Sequence, residues 1–147
     1  MPLDLVRRIA SRLRGTPERP GGRRGLGHDW EREAERALVA ESYRIVERNF
    51  RTREGEVDLI ARDGDVLCFV EVKGRASHAF GSPAAAVTLE KQRRIARAAA
   101  AYLLRFRGEP PACRFDVVGI DASTVDPASR VTILRGAFEG PLPPRRR

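Results

Sequence analysis

Long apolar runs are missing from this chain: no stretch reaches the 18 or more apolar residues of a membrane span, and the longest run, residues 98–104, is mostly alanine. Cysteine is nearly missing too. Cys68 and Cys113 lie far apart and outside any C-x-x-C, which excludes a zinc ribbon and a disulfide framework and leaves two buried thiols as the expectation. The opening residues MPLDLVRR lack the apolar core of a secretory leader, so a cytoplasmic protein that does not enter a membrane is expected. The glycines of 21–27 are not followed by Gly-Lys-Ser/Thr and no strand precedes them, which excludes a phosphate-binding loop of that kind. Lysine is the scarcest of the common charges: of 28 basic residues only Lys73 and Lys91 are lysine. Arginine does not release its proton in a protein, whereas a lysine ammonium is compact and tunable, so a lysine retained here points to a place where arginine will not serve.

What is present suits one domain. A chain of 147 residues with 41% hydrophobic content can close one core. The net charge of +8 is unevenly spread. Residues 1–27 carry seven arginines against Asp4 and Glu18, residues 145–147 are three arginines, and the 117 residues between them hold 18 basic and 18 acidic groups. The basicity therefore lives in the tails. Such tails raise non-specific affinity for polyanions through counterion release, or are solvated ends; composition leaves both open.

The periodicity divides the chain into a basic N-terminal arm and linker over 1–26, a folded domain over 27–138 and a basic tail over 139–147. Leu3, Val6, Ile9 and Leu13 could line a short amphipathic helix, and 15–27, rich in glycine and proline, is a linker. Trp30, Ala34, Ala37 and Leu38 recur at helical spacing within 28–41. Strands are expected at 43–52, 56–62 and 66–73, with the Asp63-Gly64-Asp65 turn joining the last two as a hairpin. Val66 to Val70 is apolar on both faces, which predicts a central strand. A loop with a helical turn after Pro83 leads to a long helix from an N-cap at Thr88 to about Arg107, with Ile95, Ala99, Tyr102, Leu103 and Phe106 as its core stripe. Strands at 114–121 and 131–138 complete an α/β layered sheet.

Two carboxylates stand out. Alternation puts Glu56, Asp58 and Ile60 on one face of the second strand, and Leu67, Phe69, Glu71 and Lys73 on one face of the third. If the hairpin register joins those faces, Asp58 and Glu71 meet. Carboxylates brought close repel unless a cation or proton lies between them, and Mg²⁺ (or Mn²⁺) takes such oxygen ligands together with waters and substrate phosphate. Lys73 would then steady an attacking water or the charge developing on a phosphoryl oxygen. The plainer account of Asp-x₁₂-Glu-x-Lys is a cross-strand ion pair on a solvated face, worth about 0–1 kcal/mol. Against it, both acids interrupt strongly apolar strands, where an unpaired charge costs several kcal/mol.

Gly55-Glu56-Val57-Asp58-Leu59-Ile60-Ala61 and Phe69-Val70-Glu71-Val72-Lys73-Gly74-Arg75 resemble the motifs of the YraN-like family of small bacterial proteins. Phe80-Gly81-Ser82-Pro83, Lys91 and Arg114-Phe115-Asp116-Val117-Val118 extend the match to about residues 27–138. That family belongs to the restriction-endonuclease-like PD-(D/E)XK superfamily, near the Holliday junction resolvases. The resemblance implies an αβββαβ core with a central mixed sheet flanked by helices. It also implies Mg²⁺ held by Asp58, Glu71 and the Val72 carbonyl, Lys73 as the catalytic lysine, and Glu31 as a further acid from the first helix. The chain departs from the family pattern at Trp30 and Ser42, both usually glycine.

The expectation is thus a Mg²⁺-dependent nuclease, endonuclease or exonuclease, acting on DNA, branched DNA included, before RNA. The alternative is a non-cleaving nucleic-acid-binding module on the same fold; a third reading is a protein-interaction factor with a vestigial pocket. Arg75, Lys91 and Arg94 are candidate nucleic-acid contacts, and Glu56 and His78 accessory candidates. A homodimer would suit a symmetric junction.

Overall fold

A computed structural model of the chain describes residues 26–75 and 83–139. The expected N-terminal arm and amphipathic helix, His78, Phe80 to Ser82 and most of the C-terminal tail lie outside the described residues. The elements are α1 (Leu26–Ala40), β1 (Arg44–Arg51), β2 (Glu56–Asp63), β3 (Val66–Arg75), a 3₁₀ turn (Ala84–Ala86), α2 (Leu89–Leu103), β4 (Cys113–Asp121), a one-turn α3 (Pro127–Arg130) and β5 (Val131–Phe138). This is the αβββαβ order of a restriction-endonuclease-like core with a fifth strand appended. Among the described residues no helix is long and apolar enough to cross a membrane.

The sheet has the order β1-β2-β3-β4-β5. β3 and β4 are parallel, joined by the α2 crossover that parallel strands need, and the other neighbours are antiparallel. β3 is central, as its two-sided apolar run predicts. Phe69 and Leu67 enter the core under α2 with Ile95, Ala99, Tyr102 and Leu103. Cys68 and Val70 enter the core under α1 with Ala34, Leu38 and Ile120. The two helices thus cover opposite faces. Cys68 is buried and Cys113 half-buried, and both are free; burial pushes the Cys68 thiol up to about 12, an unreactive state at neutral pH.

The hairpin turn places Gly64 at φ +59° after the last pair, Asp63 with Val66, so a two-residue loop fixes the β2–β3 register. α2 starts as expected: the Thr88 hydroxyl accepts the Lys91 N–H at 3.2 Å. It ends four residues before Arg107, because the Arg105 and Phe106 N–H groups turn to the carbonyls of Tyr102 and Leu103, three residues back. Phe106 still packs on Tyr102, ring centroids 6.1 Å apart.

Ser42 sits at a backbone position that favours glycine. The Tyr43 N–H bonds the Leu38 carbonyl and the Ser42 N–H the Val39 carbonyl, closing α1 in a Schellman motif. Ser42 occupies its left-handed position at φ +68°. Ser42→Gly should therefore stabilise the fold by about 1 kcal/mol, read as a rise in the urea midpoint at constant m-value. No rise would mean that the serine is unstrained.

A second polar cluster ties the sheet to the end of α1. Asp116 is fully buried in β4. Its carboxylate accepts from Arg114 Nε at 2.8 Å, Tyr43 Oη at 2.9 Å and the Gly136 N–H at 2.9 Å, and Arg114 also reaches Asp63 at 2.8 Å. Burial, then the bond to Asp116, pushes the Tyr43 phenol well up.

Candidate functional site

The β2–β3 ladder ends at the pair Leu59 and Val70. One step further the strands part, and the next residues in that register are Asp58 and Glu71. Asp58 Oδ2 accepts the Val72 backbone N–H at 2.8 Å, so the side chain takes over the missing ladder partner. Leu67 and Phe69 lie in the core beneath α2, and strand alternation continues that face through Glu71 to Lys73.

The two carboxyls lie near enough that each shifts the other's hold on a proton. Glu71 is 5% exposed, and its buried Oε2 has no hydrogen-bond donor. Burial, then the Asp58 charge, drives the Glu71 carboxyl well above the usual carboxylate range. Burial raises Asp58 as well, opposed by the Val72 N–H. Left alone, the pair holds a proton to higher pH than a free carboxyl would.

Two glycines shape the walls. A Cβ on Gly55 would stand 1.9 Å from the Arg94 carbonyl oxygen, so α2 runs directly against the backbone that opens β2. That approach seats Lys91, one helical turn earlier, over the acids: Lys91 Nζ is 3.5 Å from Glu56 Oε1 and 3.6 Å from Glu71 Oε1. Beside Lys73 in the parallel ladder lies Gly119, where a Cβ would meet the Pro83 ring at 2.2 Å. Pro83 therefore packs on the same face, next to Lys73. On the opposite face the Trp30 ring covers Gly74, leaving a Cβ there only 2.0 Å.

The structure thus gathers Asp58, Glu71, Glu56 and Lys91 at the split between β2 and β3, with Lys73 half-buried two residues beyond Glu71. Lys91, expected as a nucleic-acid contact, turns inward to two carboxylates; its scarcity and its place in the resembled motifs were the signals in the sequence. Arg94 lends its backbone to the Gly55 contact and its side chain is half-buried. Arg75 ends β3 opposite Asp121 and accepts the Ala122 N–H at its carbonyl. Glu31 stands on α1, over the other face, lining a cavity of about 620 Å³ with Glu35, Arg48, Asn49 and Leu59.

Among the described residues no three His, Cys, Asp or Glu side chains are arranged to hold a metal. The pair itself still has the chemistry of a hard-cation ligand set: two adjacent carboxyls, an orphaned buried oxygen on Glu71, and oxygen donors only.

Comparison with known proteins agrees with the motifs. The model of the family described as "Uncharacterised protein family UPF0102" matches residues 30–120. A UPF0102 protein of Symbiobacterium thermophilum is 50% identical over 115 residues, 78% of this chain and 97% of the relative. One from Chlorobium chlorochromatii is 52% identical over 103 residues (70% and 79%), and one from Anaeromyxobacter sp. is 45% identical over 120 residues (82% and 89%). The chain belongs to the UPF0102 family, the YraN-like proteins.

Proposed function

We propose that this chain is a Mg²⁺-dependent nuclease of the PD-(D/E)XK type, hydrolysing phosphodiester bonds in DNA in preference to RNA. One observation carries the reading: two carboxyls that repel each other are buried face to face where the ladder splits, with Lys73 on the same face. A fold does not keep such a pair for stability, since each buried charge costs several kcal/mol. In this reading Asp58 and Glu71, with the Val72 carbonyl, would hold the metal, while Glu31, which lines the cavity on the α1 face, stays outside that ligand set. Bound Mg²⁺ supplies Lewis-acid polarisation of the scissile phosphate. Lys73 donates hydrogen bonds to the phosphoryl oxygens and orients the attacking water, and its charge counters the one that develops there. The apolar strands around Glu71 exclude bulk water, which strengthens both effects. Arg75, Arg94 and the arginine tails supply phosphate contacts.

A non-cleaving nucleic-acid-binding module is the second reading, favoured by the Lys91 ammonium, which stands 3.6 Å from Glu71 where a metal would compete for the same carboxylate. The two separate in one assay. Single-stranded, duplex, flap and four-way-junction DNA, and RNA, are incubated with the protein in Mg²⁺ or Mn²⁺, beside Lys73→Ala and Asp58→Asn. Cleavage by the wild type that falls by at least about a hundredfold in both variants supports the nuclease. Binding without cutting in either metal leaves the binding module.

A further inference from the structure

Lys91 is the group in the acidic pocket that the nuclease reading leaves without a task. It is one of two lysines among 28 basic residues. Its place is built rather than incidental. Thr88 caps the helix by accepting the Lys91 N–H, and the bare backbone of Gly55 lets α2 approach until the Arg94 carbonyl is in contact. The ammonium then stands between two carboxylates, 3.5 Å from Glu56 and 3.6 Å from Glu71, with a quarter of the side chain exposed. Glu71 is almost fully buried and its second oxygen has no donor, so Lys91 supplies only part of the positive charge that the pair demands.

We infer that Lys91 is an internal counter-cation: it holds Glu56 and Glu71 together before metal binding and gives up Glu71, keeping Glu56, when a divalent cation arrives. The inference rests on the metal reading above and deepens it. An ammonium and a metal ion compete for the same oxygen lone pairs, so each weakens the other, and the coupling is reciprocal. Glu56 gives the displaced ammonium a place to stay, so displacement does not leave a half-buried charge unpaired. A flexible four-carbon stem suits the movement, whereas an arginine fork would hold Glu71 in a fixed two-pronged grip. The metal-free pocket is thereby kept from collapsing or opening, at a cost in metal affinity.

The test is Mn²⁺ binding, by calorimetry, and thermal unfolding in EDTA, on the full chain as wild type, Lys91→Met and Lys91→Arg. Lys91→Met should melt below the wild type in EDTA yet bind Mn²⁺ about tenfold more tightly. Lys91→Arg should melt near the wild type and bind Mn²⁺ no more tightly. If Lys91→Met is unfolded in EDTA, recovery of its fold by Mn²⁺ supports the inference and no recovery overturns it. Wild-type binding with no gain in a folded Lys91→Met overturns the inference and leaves the nuclease reading standing. Absence of binding by either protein at millimolar Mn²⁺ overturns both.

Discussion

Glu71→Gln is expected to stabilise the metal-free fold and to abolish cleavage in the same molecule. The glutamate is buried beside Asp58, and burial and that neighbour together raise its carboxyl well above the ordinary value of 4.5. A carboxyl whose pKa rises on folding binds its proton more tightly in the folded state. Its favourable contribution is complete below the ordinary value and is lost as pH climbs through the raised one. Near neutral pH the wild type therefore carries a strained pair, and an amide at 71 relieves it by at least about 1 kcal/mol. The lost Lys91 contact opposes this gain, but Lys91 retains Glu56. Urea unfolding in EDTA from about pH 5 to about pH 8 checks the sign. Wild-type stability should carry a component that falls with pH and is absent from the variant. A Glu71→Gln protein less stable than the wild type at the upper end would show that the pair is not strained. Asp63 and Glu35, both lowered by arginine partners, contribute in the opposite sense and are common to both proteins.

Arg114→Met should be the most damaging change outside the site, costing about 3–5 kcal/mol. Asp116 is fully buried, and Arg114 meets it at both oxygens, Nε at 2.8 Å and Nη2 at 3.0 Å. Methionine would fill much of the space and leave the carboxylate with the Tyr43 hydroxyl and the Gly136 N–H but no counter-charge. Tyr43→Phe removes one neutral donor and should cost about 1 kcal/mol. The ordering of the two variants in urea midpoints is the check. An Arg114→Met loss no larger than that of Tyr43→Phe would mean that the arginine is an ornament on a network that its other donors already satisfy.

Much of this architecture was legible from residue patterns. Period-two and period-3.6 spacing set the order of elements, the two-sided apolar run of Val66 to Val70 marked the central strand, and Thr88 marked the start of α2. Less legible were features set by contacts between distant segments. α2 stops at Leu103 although its apolar stripe continues to Phe106, because the last turn tightens and Phe106 packs from outside the helix. The face covered by α1 follows from the pairing of β3 with β4, so the position of Glu31 opposite the α2 side could not be read from helix periodicity. Lys91 is aimed by the contact of Gly55 with Arg94, residues far apart in sequence. The Asp116 network joins positions 43, 63, 114, 116 and 136; the signal available for it was an aspartate inside an apolar strand, the same signal that singled out Asp58 and Glu71. An acid interrupting an apolar strand therefore marks a buried polar centre without saying which kind. What separates the two centres is satisfaction. Asp116 has a donor at each oxygen, whereas Glu71 has an oxygen with none.

That unsatisfied oxygen is where the account is most directly tested. Crystals of the wild-type protein grown with Mn²⁺, and diffraction data collected at the manganese edge, should give an anomalous peak between the Asp58 and Glu71 carboxylates at ordinary metal–oxygen bonding distance. Lys91 Nζ should then stand nearer Glu56 than Glu71. Manganese bound elsewhere, with Glu71 still on Lys91 and no peak at the pair, would contradict a metal-dependent site at the β2–β3 split.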